Sequence, residues 1–156
     1  MSSSVIGANT ASDSTTALFG LGDLYTDSSG NQFVYVKASS AIAQYDVVTY
    51  DETFITTVAP LSTSNDARGD KVGVAPVAIA SGSYGWLQIS GPAIANVLAS
   101  CAANVRLNTT GTAGSLDDDG TTSSMQVQGI YLTAARTASN GSAAAILNYP
   151  FIDVQL

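Results

Sequence analysis

Gln32-Phe-Val-Tyr-Val-Lys-Ala-Ser-Ser-Ala-Ile-Ala-Gln-Tyr-Asp-Val-Val-Thr-Tyr50 decides the fold class. Aromatic and β-branched residues crowd its two ends, where a pleated, half-buried surface suits them. The small residues between, Ala38 to Ala43, form a corner. The pattern repeats along the chain, with apolar period two broken by turn formers such as Asp27-Ser-Ser-Gly-Asn, Asp66-Ala-Arg-Gly-Asp and Asp117-Asp-Asp-Gly. Strands are expected at Phe33–Ala38, Val47–Asp51, Phe54–Ala59, Lys71–Ala80, Tyr84–Ser90, Ile94–Leu98, Val105–Asn108, Ser124–Thr133, Ala143–Leu147 and Phe151–Val154. The expectation is an all-β chain: a single compact β-barrel or sandwich-like domain of about ten short strands.

Two strands change phase partway. Val72 and Val74 share one face while Val77 and Ile79 take the other, with Pro76 at the slip. Met125 and Val127 give way to Ile130 and Leu132 across Gly129. Proline cannot donate to a ladder and glycine tolerates a bulge, and bent strands are what a closed sheet requires. Ile94, Val97, Leu98 and Cys101 are spaced i, i+3, i+4, i+7 after Gly91-Pro92, so a short helix competes there with a strand. Two weak internal likenesses accompany the pattern. Tyr35–Val47 and Leu87–Val97 each run through a strand and a small-residue corner to Ala-Ile-Ala, at Ala41–Ala43 and Ala93–Ala95, and the approach Ala41–Val48 resembles Ala99–Leu107 in setting Asp or Asn before a strand start.

Before the strands, residues 1–20 are mostly Ser, Thr, Ala, Asn and Asp, with Val5 and Ile6 the only large apolar residues from Ser2 to Thr16. Such a segment cannot pack a core of its own. It is expected to be an arm, extended or bound to a partner, followed by a β-rich domain over 21–156. Extended, its first sixteen or so residues reach about 50 Å, against a radius of gyration of about 15 Å for a domain of this size. It carries neither a basic region nor an apolar run, so neither a leader peptide nor a membrane span is expected.

Composition narrows the function. The chain has no histidine, one cysteine, 5 basic and 12 acidic residues, and net charge −7. Histidine is the side chain that titrates near neutrality without special help, so acid–base catalysis is poorly supplied. An enzyme would have to rely on carboxylates such as Asp51 and Glu52, which lie in turn-like sequence. No catalytic residue, cofactor or metal is assigned. Cys101, among small apolar neighbours, reads as a buried inert thiol. Asp117-Asp-Asp-Gly could hold calcium but misses the ligand spacing of an EF-hand, so a solvated turn is the simpler reading. Arg68-Gly69-Asp70 reads as a plain loop, and Gly20-Leu-Gly-Asp lacks the third glycine of a dinucleotide fingerprint. Five scattered cations cannot make a phosphate-binding face, so nucleic acid is not an expected partner, and neither is a membrane.

Phe33 to Val48, then Tyr84-Gly-Trp-Leu-Gln-Ile-Ser-Gly-Pro, then Ala113-Gly-Ser-Leu-Asp-Asp-Asp with Gly129-Ile-Tyr-Leu, resemble the capsid decoration, or cement, proteins of tailed bacteriophages. The resemblance spans Leu21 to Val154 and rests on strand-and-turn patterns. It implies a β-barrel-like domain forming homotrimers on the outer surface of a phage head. It further implies the major capsid protein as partner, stabilisation of the shell against internal DNA pressure, and synthesis in the host cytoplasm. Val5, Ile6, Phe19, Tyr84 and Trp86 are the candidate partner contacts. For Trp86 the alternative is a place in the core. A second reading is a carbohydrate- or host-surface-binding β module of a virion, using exposed aromatics among Tyr84, Trp86 and Tyr131.

Overall fold

The structure is a computed structural model that describes residues 6–58, 69–121 and 123–155. Val5, Ala59 and Arg68 lie outside the described residues. One ten-stranded sheet is formed by β1 Leu24–Thr26, β2 Gln32–Ala38, β3 Val47–Tyr50, β4 Ile55–Val58, β5 Lys71–Val74, β6 Tyr84–Val97, β7 Leu107–Thr109, β8 Leu116–Asp117, β9 Met125–Leu132 and β10 Gly141–Gln155. No helix occurs among the described residues.

The pairing closes on itself twice. β6 pairs β2, β2 pairs β4, β4 pairs β3, β3 pairs β5, and β5 returns to β6. The second ring runs β6, β10, β9, β7, β8 and back to β6. Five strands cannot close with every neighbour antiparallel, so each ring needs a parallel pair. β2–β4 supplies one and β6–β8 the other. The two rings have the same strand connectivity, with the first half of β6 ending one and its second half beginning the other.

Connecting loops repeat as well. In the first ring Ile42 and Ile79 exchange both backbone hydrogen bonds at 2.9 Å; in the second, Arg136 N–H donates to the Cys101 carbonyl at 2.8 Å and Ser100 N–H to that of Thr137 at 2.7 Å. The likeness of Ala41–Val48 to Ala99–Leu107 therefore joins equivalent loops. That of Ala41–Ala43 to Ala93–Ala95 does not, since the latter lies within β6.

Two cores follow from strand alternation. Val34, Val36, Val48, Leu87 and Ile89 fill the first ring, with Ile42 and Ile79 closing it. Leu107, Leu116, Val127, Ile130, Leu132 and Leu147 fill the second. Val47, Val72 and Val74 turn away from the first ring into the second core, so the rings share a wall.

The sequence expectations meet three corrections. Lys71–Ala80 is not one strand: β5 stops at Val74, two residues before Pro76, and Ile79 returns only as a bridge. Tyr84–Ser90 and Ile94–Leu98 are one strand, bent at Gly91 (φ +98°), and the helix is absent there. Ala143–Leu147 and Phe151–Val154 likewise merge into β10 through Pro150.

Both faces of β2 and of the first half of β6 are covered. Phe33, Tyr35 and Trp86 project outward and are roofed by Phe19 and Tyr25, with Phe19 centred 5.3 Å from both Tyr35 and Trp86. The N-terminal segment supplies this roof. Ser14 exchanges backbone bonds of 2.9 and 2.8 Å with Tyr84, and Ala80 N–H donates to Asp13 Oδ2 at 2.9 Å. From Asp13 onward the arm is held by its own domain.

Candidate functional site

The bulge between β9 and β10 shapes two neighbouring surfaces. Pairing runs regularly from Ala145↔Leu132 to Leu147↔Ile130 and resumes at Phe151↔Gln128, leaving extra residues on β10. Gly129 (φ +75°) and Tyr149 (φ +48°) both take left-handed backbone there. For tyrosine that conformation costs about 1–2 kcal/mol, and such strain tends to persist where a site requires it.

The first surface is apolar. Leu24, Phe54, Lys71, Tyr149, Pro150 and Phe151 border a groove of about 460 Å³ whose floor includes Val34, Tyr50 and Ile89. Leu24 is 56 %, Tyr149 52 % and Phe151 42 % exposed. The Tyr149 hydroxyl donates to Gln32 Oε1, fixing that ring at the rim. Burial pushes the Tyr50 hydroxyl up to about 12, so it stays neutral and the groove gains no charge from it.

The second surface is polar. Its groove, about 870 Å³, is lined by Asn104, Arg106, Asp118, Gln126, Gln128 and Asn148, with Tyr131 and Val105 among its apolar members.

A third cluster carries reactive groups. Cys101, Asp117 and Asp118 place ligand-type atoms within 4.8 Å of one another, the one such group of three among the described residues. Burial and the nearby Asp118 push the Cys101 thiol up to about 12, and burial also raises the Asp117 carboxyl. A protonated thiol is neither a nucleophile nor a good soft-metal ligand. The structure buries Cys101, as read from the sequence.

The candidate contact residues scatter. Trp86 is 2 % exposed, its indole enclosed by Phe19, Tyr25 and Tyr35, so it occupies the core place weighed against a contact role. Phe19 and Tyr84 are half-buried against the same cluster, with Lys37 Nζ 5.5 Å from the Tyr84 ring centre. Ile6 is 88 % exposed. Tyr84 and Trp86 thus form no open aromatic row with Tyr131, which stands on the other ring. Sequence reasoning missed Leu24, Tyr149 and Phe151. Pro150 after Tyr149 was the available signal, since a proline inside a strand marks a bulge.

No protein-family model matches the chain, and no curated protein matches it.

Proposed function

We propose that the protein is a structural component of a virion, a decoration protein that binds the outer surface of a phage head as a homotrimer and stiffens the shell. The observation that supports this reading is the apolar groove: Leu24, Tyr149 and Phe151 stand exposed around one concavity on a domain whose cores are otherwise closed. Aromatic side chains held rigidly at a concave rim are the usual energetic centre of a protein–protein contact. The acidic, weakly charged remainder keeps such a protein soluble at high copy number. Shell reinforcement requires no chemistry, which accords with the neutral thiol and the histidine-free composition. Light scattering on the purified chain tests the assembly: a mass of three chains is expected, and a monomer at micromolar concentration contradicts it.

A further inference from the structure

β9 alternates normally as far as Gln128, with Met125 and Val127 inward and Gln126 and Gln128 outward. The bulge at Gly129 then shifts the phase, so Ile130 and Leu132 point inward and Tyr131 points outward. Without that shift the residue after Gln128 on the outer face would be Ile130. With it, Gln126, Gln128 and Tyr131 line one groove, joined by Asn104, Arg106 and Asn148.

These side chains are not occupied with one another. Gln126 is only 7 % exposed, yet its amide has no hydrogen-bond partner among the described residues. Among the described residues no side-chain polar atom is both fully buried and unpartnered, so the Gln126 amide opens into the groove. Gln128 spends one N–H on Asp153 Oδ2 at 3.3 Å and keeps its carbonyl oxygen free. Tyr131 is 43 % exposed. A nine-tenths buried amide facing an open groove without a partner has its donors and acceptor set for a ligand.

We propose that this groove binds a neutral saccharide. Primary amides both donate and accept, which matches hydroxyl groups that do the same, and an exposed tyrosine ring offers the apolar platform on which a pyranose face packs. One cation, Arg106, and one anion, Asp118, leave the site without net charge, which disfavours phosphates and nucleic acid. Strand addition by a peptide would find little edge, because β9 pairs β10 along one side and on the other pairs β7 at Gln126 and Val127, with Asn104 N–H bonded to the Leu132 carbonyl, so only the bulged stretch from Gln128 to Tyr131 lacks a strand partner. The site lies on the second ring and does not depend on the virion reading.

Calorimetric titration of the full chain with maltotriose, lactose, mannotriose and chitotriose, with sialyllactose and inorganic phosphate as charged controls, tests it. Saturable binding of at least one neutral sugar is expected, weakened about tenfold or more by Tyr131→Ala and by Gln126→Leu and unchanged by Ile55→Ser, an exposed position of the first ring. Tyr131→Ala alters an exposed ring, and unchanged tryptophan emission confirms its fold, so the result stands even if Gln126→Leu fails to fold. Binding of none of the four neutral sugars, binding of the anions alone, or binding indifferent to Tyr131→Ala overturns the proposal.

Discussion

A Cβ atom on Gly129 would lie 2.6 Å from the carbonyl oxygen of Asn148 and 3.1 Å from the Pro150 Cα. This contact locks β9 against the β10 bulge. On one side it sets Tyr131 beside Gln126 and Gln128, and on the other it presents Tyr149 and Phe151 at the apolar groove.

Gly129→Ala therefore tests the joint. The substitution adds left-handed strain and a backbone clash, together about 2–4 kcal/mol. Urea denaturation is expected to show a loss of that size. A stability within 0.5 kcal/mol of the parent, on the order of an ordinary surface substitution, contradicts the contact.

Trp86 is the chain's single tryptophan and reports directly on the roofed face. Its emission is expected to be that of a buried indole, poorly quenched by acrylamide and unchanged on binding a partner. Trp86→Ala removes a ring packed by Phe19, Tyr25 and Tyr35 and costs about 3–5 kcal/mol. Strong quenching in the native protein would place the ring at the surface instead.

Asp117 gives a pH dependence with a defined sign. Burial raises its carboxyl above 3.8 in the folded chain, so the folded state holds the proton more tightly than the unfolded one. The favourable contribution is complete below 3.8 and is lost as pH rises through the folded value. Asp117→Asn is expected to raise Tm at pH 7 and to leave it nearly unchanged at pH 3. An equal shift at both pH values would assign the effect to something other than the charge.

Cys101 is expected to ignore a thiol reagent such as dithionitrobenzoate at pH 8 until the protein unfolds, because the group is buried and its pKa is pushed up to about 12. Rapid modification of the native chain would contradict its place in the second core.

Much of this fold is legible in the residues. The period-two stretches, the bend at Gly91 and the phase slip at Gly129 all carry local signals that the strands obey. Leu24–Thr26 and Leu116–Asp117 are too short to show any period, and both escape notice as strands. The segment Ile94–Cys101 leaves helix and strand open in the sequence because small alanines at 93 and 95 leave its helical spacing unopposed, whereas burial in the structure alternates from Ile94 to Val97. Ring closure depends on pairing between segments far apart in the chain, which local pattern does not encode. The burial of Trp86 is hidden from the sequence in a related way: alternation shows that it opposes Leu87, but not that Phe19, 67 residues earlier, covers it. For the polar groove the signal was present. A slip at Gly129 necessarily brings Tyr131 onto the face of Gln126 and Gln128.

The central claim is that the apolar groove makes this protein bind a capsid shell. Co-sedimentation of the purified chain with undecorated cognate phage heads tests it most directly, comparing the parent with Phe151→Glu. The account predicts saturable binding of trimers, little changed between pH 5.5 and 8 because the chain lacks histidine, and binding weakened at least tenfold by Phe151→Glu, about 1.4 kcal/mol. A parent chain that stays in the supernatant as a monomer, or heads that bind both forms equally, would contradict it.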